Sequence, residues 1–392
     1  MAGVFILSAV RTPIGKFGGS LASFTAADMG TIAAKAAMER AAVSPEQIGE
    51  TIIGNGRQAG GGPNVARQIS IRSGVPETVP AYTVNMACAS GMKSLALGFE
   101  EIANGNLDCV LAGGTESMSR LPYYLEARWG LRMGNQELVD GMYRDGFFCL
   151  LAKMVMGETA EVLVEQYKIS REEQDQYALC SQKRAEAAIQ AGRLKDEIVP
   201  VTIESKKGTT VFEQDEHPFF GATLEKMAKL PPVFSKTGSV TAGNSSGITD
   251  GAAAMVLASE RFVTQHGLKP LARIVATTSA GVNPRTMGIG PVPAMKKLKE
   301  KTGLSVQDFD LIELNEAFAA QVLACDRELH FDRDRLNING GAIALGHPIG
   351  CTGTRITVAL LHEMLKRKAK RGAATLCVSG GLGMAMALEN AS

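Results

Sequence analysis

An excess of charge of either sign is missing from this chain: its 392 residues hold 41 Lys+Arg against 40 Asp+Glu, a formal net charge of +1. So balanced a surface has no field for coating nucleic acid or an anionic membrane. Long apolar runs are missing too, since no uninterrupted stretch approaches the roughly 18 residues of a membrane span. Aromatic residues are only 5%, yet hydrophobic residues reach 45% and charged ones 21%, which excludes intrinsic disorder. The seven cysteines (Cys88, Cys109, Cys149, Cys180, Cys325, Cys351, Cys377) are odd in number and lack any C-x-x-C spacing. That pattern suits free thiols in a reducing compartment, not a zinc ribbon or a disulfide scaffold. The chain enters a strand at Val4, which leaves no room for a basic and then apolar leader. A soluble, cytoplasmic protein is expected.

Glycine, by contrast, is plentiful: 43 residues, about 11% against roughly 7% in average usage, so tight turns and close backbone approaches are expected. At about 150 residues per domain the length points to two or three packed units. Up to residue 115, short β-branched runs (Val4 to Ser8, Thr51 to Ile53, Tyr82 to Asn85, Cys109 to Ala112) alternate with helical patterns (Ala27 to Ala42, Asn64 to Ser73, Cys88 to Asn104). Such alternation predicts a parallel, helix-covered sheet. From Glu116 to about Ser245 the rhythm breaks into a Met- and Arg-rich stretch, a helix capped at Ser170-Arg-Glu-Glu173 and irregular polar segments, the pattern of a large insertion. Alternation then resumes. Strands are predicted at Ala253 to Ala258, Ala272 to Ala276, Asp310 to Leu314, Leu336 to Asn339, Thr375 to Val378 and Met384 to Leu388. Helices are predicted at Pro293 to Lys301, Ala317 to Arg327 and Arg355 to Arg367. The second half repeats the order of the first, so the chain reads as two similar α/β halves.

Four places carry residues suited to chemistry. Cys88 stands between a strand and a helix whose apolar residues Met92, Leu95, Phe99 and Ile102 share one face. At that helix N-terminus the macrodipole and free N–H groups favour thiolate and can hold an oxyanion; the plain alternative is a buried apolar filler. His347 is crowded by glycines in Gly340-Gly-Ala-Ile-Ala-Leu-Gly-His347-Pro-Ile-Gly350 and is the best-placed general base, unless it is a hydrogen-bonded core histidine. Asn315-Glu316 follows a strand, at the end where open α/β sheets bind ligands. Cys377 closes another strand before Ser379-Gly-Gly-Leu-Gly383, a position that points to acid/base work. No local spacing makes these residues a metal site. Three lookalikes are set aside: Gly243-Asn-Ser-Ser-Gly247 lacks the strand and helix of a nucleophile elbow, Gly54-Asn-Gly-Arg-Gln-Ala-Gly60 misses the dinucleotide-loop register, and His362-Glu-Met-Leu-Lys366 lacks a second histidine.

Taken together, Asn85-Met-Ala-Cys88-Ala-Ser-Gly91, Asn315-Glu-Ala-Phe318, Gly346-His347-Pro-Ile-Gly350 and Cys377 with its Gly-rich loop resemble the thiolase family in order and spacing. The resemblance extends to Arg11-Thr-Pro-Ile-Gly15, Gly113-Gly-Thr-Glu-Ser-Met118 and Thr241-Ala-Gly-Asn-Ser-Ser-Gly247, and so covers essentially the whole chain. It implies an α/β thiolase-like fold: two duplicated βαβαβαββ halves with a loop-domain insertion in the first. The corresponding divisions are 1–116 plus 246–270, 117–245 for CoA binding and tetramerisation, and 271–392. Within the family the chain is most similar to tetrameric bacterial acetoacetyl-CoA thiolases, with the broad-chain 3-ketoacyl-CoA thiolases of β-oxidation as the alternative.

By that resemblance Cys88 is the nucleophile, His347 the base that activates it, and Cys377 the base at the methyl of a second acetyl-CoA. One oxyanion hole maps onto His347 and a water held by Asn315, the other onto the backbone N–H groups of Cys88 and Ser379. Ser246, Ala242, Met156, Met287, Phe318 and Phe147 map onto the substrate and CoA contacts. The implied partners are acetyl-CoA, CoA, acetoacetyl-CoA and further copies of the chain, as a dimer of dimers, with no metal, cofactor, nucleic acid or membrane. Three positions depart from the family pattern. Ser379 replaces the usual Gly and stores strain if φ there is positive. Val155 and Phe219 replace a common His and Arg, which implies a weaker grip on CoA or a larger acyl pocket. The segment Pro122 to Met133, rich in aromatics and arginines, has the composition of an interface. A ketosynthase-like condensing enzyme on the same fold would carry two histidines beside the cysteine, and a non-catalytic acyl-CoA or lipid-binding module would have lost a catalytic residue.

Overall fold

The computed structural model describes residues 3–206 and 208–391. Its frame is one mixed ten-stranded sheet, nine strands in one path and the two-residue Gly15–Lys16 off it, paired with Thr249 and Asp250. The first half supplies β1 (Val4–Arg11), β2 (Glu50–Gly54), β3 (Ala81–Val84), β4 (Cys109–Glu116) and β5 (Thr249–Ser259), in the order β3-β2-β4-β5-β1. The second half supplies β6 (Ala272–Gly281), β7 (Leu311–Leu314), β8 (Arg371–Val378) and β9 (Leu382–Asn390), in the order β7-β8-β9-β6. Antiparallel pairing of Phe5 with Arg273 and Ile6 with Ala272 joins the halves edge to edge. In both halves the last strand runs antiparallel to its neighbours and the inner strands pair in parallel. The repeated order expected from the sequence is thus a repeated topology.

One predicted strand is nearly absent. Leu336 to Asn339 makes only an isolated parallel bridge, Leu336 to Ile312. Asn337 then turns left-handed, with φ of 48°, and its amide takes over the pairing: Oδ1 accepts from Leu314 N at 2.8 Å while Nδ2 donates to Leu314 O at 2.8 Å. Asparagine tolerates that conformation better than the β-branched neighbours. The bridge still lies beside β7, where β3 lies beside β2 in the first half.

Helices fill the layers on either side. α1 (Ala26–Ala41) and α2 (Val65–Arg72) cover one face of the first half, and α6 (Pro291–Thr302) with α7 (Ala319–Leu329) cover the second. Between the halves lie α3 (Ser90–Ala103) and α8 (Ile349–Arg367), which share one apolar core with strands of both. α8 is buried almost all round, the pattern of a helix surrounded by protein. The two helices touch through glycine: a Cβ on Gly353 would stand 2.4 Å from Met92 N, and one on Gly91 2.6 Å from Thr354 Oγ1. This contact brings the N-terminal ends of α3 and α8 together, and with them the residues just before each. The insertion carries α4 (Met156–Tyr167) and α5 (Arg171–Gln190), the latter with the expected Ser170/Glu173 capping box. Glu316 ties α5 to the second half by accepting from Tyr177 Oη at 2.9 Å, Ser181 Oγ at 2.7 Å and Ile343 N at 3.1 Å.

Candidate active site

Cys88 sits on a 3-10 turn, Ala87–Ala89, between β3 and α3. The turn is forced by Ala87, which adopts φ of 45°, a conformation that costs an alanine about 1–2 kcal/mol. Local bonds hold it there: Asn85 Oδ1 accepts from Ala87 N at 2.9 Å and Ser90 Oγ from Met86 N at 2.9 Å. The strained residue is therefore the one before the nucleophile candidate. Ser379 is not among the positive-φ residues; the left-handed positions are Gly380 and Gly381, with φ of 88° and 87°. The condition for strain at Ser379, a positive φ, is not met, because the glycines after it absorb the turn.

Cys88, His347, Cys377 and Ser379 line one cavity of about 400 Å³. Ser246, Ala242, Met156, Met287, Phe318 and Phe147 line it too, so all the contact residues expected from the sequence converge there. Asn315 does not. It lies just beyond β7, wholly buried, and neither polar atom of its amide has a hydrogen-bond partner among the described residues. Val155 and Phe219 also stand off the cavity; Phe219 is exposed, with Lys226 Nζ 5.6 Å from its ring centroid.

The electrostatics correct one expectation. The thiol of Cys88 titrates above its ordinary value, because burial outweighs the Arg57 cation and the N–H groups of Ser379 and Cys88 that favour thiolate. Cys377, 1% exposed, is pushed well above its ordinary value by burial, then by the Cys88 charge. Both therefore rest as thiols, and neither environment depresses a pKa as a helix N-terminus alone would. His347 goes the other way, down to about 3, first through burial and then through Arg355 and Arg57. It is a neutral imidazole at any ordinary pH. Its Nδ1 lies 2.6 Å from Thr352 Oγ1, whose own hydrogen goes to Pro348 O at 3.0 Å. Nδ1 must then carry the ring proton, which leaves Nε2 free to accept one.

Folding thus keeps a proton off His347. Below about pH 6.5 the unfolded imidazole binds a proton that the folded one refuses down to about 3, so this contribution to stability is full above pH 6.5 and shrinks as pH falls. Between pH 6.5 and 5 the loss is about 2 kcal/mol. Urea midpoints for the protein and for His347→Asn at pH 7 and pH 5 are expected to show a shallower acid loss in the variant. Equal slopes would mean that the imidazole protonates freely.

The structure adds three polar groups that sequence reasoning passed over. Arg57, in the glycine-rich segment set aside as ordinary structure, lines the cavity at 8% exposure. Glu116, fully buried at the end of β4, accepts from Asn55 Nδ2 and the backbone N–H groups of Gly56, Arg57 and Gly350. Desolvation lifts its carboxyl to about 6. It clamps the Arg57 turn to the start of α8, and so positions both. His217 also lines the cavity, with Nδ1 2.7 Å from Ala344 O. Glu116 stands in the Gly113–Met118 motif of the resemblance but without an assigned role, and Arg57 and His217 had no local signal, since each reaches the site from a segment distant in sequence.

Comparison with known proteins agrees with this arrangement. Residues 4–261 match the thiolase N-terminal domain and residues 268–390 the thiolase C-terminal domain. An acetyl-CoA acetyltransferase of Cupriavidus necator is 50% identical over 391 residues, 99% of this chain and 100% of that one. The crystal structure of the Bacillus anthracis acetyl-CoA acetyltransferase superposes with a TM-score of 0.97 at 47% identity, covering 100% of this chain and 99% of the other. Human mitochondrial 3-ketoacyl-CoA thiolase, solved in complex with CoA, gives 0.96 at 45% identity, covering 100% and 98%. With the duplicated topology, two thiols and a neutral imidazole on one cavity, and family matches along nearly its whole length, the chain belongs to the thiolase family.

Proposed function

We propose that the protein catalyses the reversible Claisen condensation of two acetyl-CoA to acetoacetyl-CoA and CoA, through an acyl-Cys88 intermediate. The observation that carries this reading is the convergence of Cys88, His347 and Cys377 on one cavity with largely apolar walls. The acetyl-CoA acetyltransferase relatives support the substrate.

The charge states dictate the order of events. His347 Nε2 takes the Cys88 proton, because a thiol whose pKa is raised does not ionise unaided. Cys88 Sγ adds to the thioester carbonyl of acetyl-CoA, and the oxyanion lies at the N–H groups of Cys88 and Ser379. CoA thiolate leaves with the proton of Cys377, which its raised pKa keeps available. The Cys377 thiolate so formed is strongly basic, and removes a proton from the methyl of the second acetyl-CoA. Imidazolium at His347 faces the enolate oxygen; the orphaned amide of Asn315, set back behind the cavity wall, would reach it only through a water. The enolate carbon attacks acyl-Cys88, and His347 returns its proton to the departing sulfur. Every proton is accounted for, so the two thiols and the imidazole suffice without a metal or redox cofactor. Thiolysis of acetoacetyl-CoA is the test: turnover with a kcat/KM at least equal to that on 3-oxooctanoyl-CoA supports the assignment, and a strong preference for the longer chain transfers it to the broad-chain class.

The same reading makes the protein a cytoplasmic homotetramer. Free cysteines throughout the described residues suit a reducing compartment, and no helix among them is long and apolar enough to cross a membrane. In the segment 122–133, Trp129 is 94% and Met133 92% exposed, apolar side chains that a contact with another copy would cover. Light scattering at micromolar concentration is expected to give four times the chain mass. A monomer there would leave Trp129 without a role.

A further inference from the structure

Three cationic side chains are buried among the described residues, Arg11, Arg57 and Arg355, and the first two are bonded. Arg11 pairs with Glu197 at 2.7 Å and with Asp215 at 2.7 and 2.9 Å, and Arg57 donates to the carbonyls of Gly56 and Gly146. Arg355, on α8 and 1% exposed, is the exception: Nε, Nη1 and Nη2 have no hydrogen-bond partner among the described residues. The carboxyl group of Glu313, on β7, stands 3.9 Å from Nη1, beyond bonding reach. Burial lifts that carboxyl to about 8, against the pull of Arg355 and with the push of Glu316, Glu197 and Glu363. At neutral pH it is therefore mostly protonated and leaves the guanidinium charge uncancelled. The next charges that reach Arg355 are Arg11 and Glu197, which bond each other. A buried cation without a partner is costly, and an apolar side chain in its place often stabilises a protein. Such a cost is characteristic of a group that serves the chemistry.

Arg355 lies about two turns along α8 from the loop that carries His347, and a helical side chain leans back toward the N-terminus. Its charge reaches His347 and Cys351, whereas the charges that reach Cys377 are those of Cys88 and Cys325. The positive end of the α8 macrodipole faces the same way.

A fixed cation behind the imidazole has opposite effects on the two half-reactions. In the first, His347 takes the Cys88 proton, and a positive charge nearby opposes the imidazolium. In the second, the Cys377 thiolate takes a methyl proton of acetyl-CoA, the C–H electron pair becomes the C=C bond, and the carbonyl π pair moves onto oxygen. Negative charge then passes from Cys377 to an oxygen facing His347, toward the cation. We infer that Arg355 is a positioning residue for the second half-reaction, whose uncancelled charge draws the developing negative charge onto the enolate oxygen at His347. This rests on the thiolase reading above and adds a residue to it.

Two rates on one preparation test the inference: acetylation of Cys88 by acetyl-CoA on rapid quenching, and exchange of the acetyl-CoA methyl hydrogens with deuterated water. In Arg355→Met exchange is expected to fall by at least about tenfold, the scale of one unit charge roughly two helical turns away in a protein interior. Acetylation in the same variant is expected to be as fast as before or faster. Arg355→Lys keeps the charge and is expected to keep most of the exchange. Arg355→Gln, neutral but polar, gives the same reading as methionine if the apolar side chain prevents folding. A loosened α8 would slow both steps together, and that result would overturn the inference. So would exchange that survives in the neutral variants, or that is lost equally in Arg355→Lys. Unaltered protein that neither acetylates nor exchanges sinks the thiolase reading itself, whereas both rates in the unaltered protein with an unchanged ratio in Arg355→Met sink only this inference.

Discussion

Mixed with acetyl-CoA alone, the protein is expected to gain one acetyl group on Cys88, and Cys88→Ala to gain none. Acylation is the first half-reaction, so the adduct forms before a second acetyl-CoA is consumed and is read on rapid mixing and quenching. Condensation in the variant is expected to fall by about 10⁶-fold, the scale of losing a covalent nucleophile. Burial raises the thiol pKa, so the rate of acylation follows the ability of His347 to accept a proton and not the thiolate fraction in solution. Intact mass with peptide mapping reads the result. An adduct that persists in Cys88→Ala, or maps to Cys377, would reassign the nucleophile.

Cys377→Ala is expected to lose condensation by about 10²- to 10⁴-fold, the range for a missing general acid or base. Its acylation is expected to be slowed but still detectable, since the departing CoA thiolate loses its nearest proton donor while Cys88 and His347 remain. Exchange of the acetyl-CoA methyl hydrogens with deuterated water isolates the proton transfer. Exchange is expected in the unaltered protein and not in the variant. If both exchange alike, the base is another group and the raised pKa of Cys377 reflects its burial alone.

Much of this was legible in the chain. Cys88, His347 and Cys377 carry short local contexts, glycines and strand ends, that survive as motifs whatever surrounds them. The alternation of strand and helix predicted the duplicated sheet, and failed at Leu336 to Asn339, where a side chain replaced backbone pairing. Arg57 was misread for the opposite reason. Its local segment resembles an ordinary glycine loop, and its meaning comes from Gly146, Ser379 and Cys88, which only the fold brings to it.

The sequence by itself determined the family and the reaction class and singled out three candidate reacting groups, because those depend on residue type and order. Only the tertiary structure decided their charge states. A helix N-terminus read from sequence predicts a lowered thiol pKa at Cys88, yet desolvation overrides it there, raises Cys377 at its strand end and strips the proton from His347. Macrodipole and N–H groups act through neighbours along the chain, whereas the loss of water depends on everything packed around a group. That surrounding is built from residues hundreds of positions apart, and no local pattern records it.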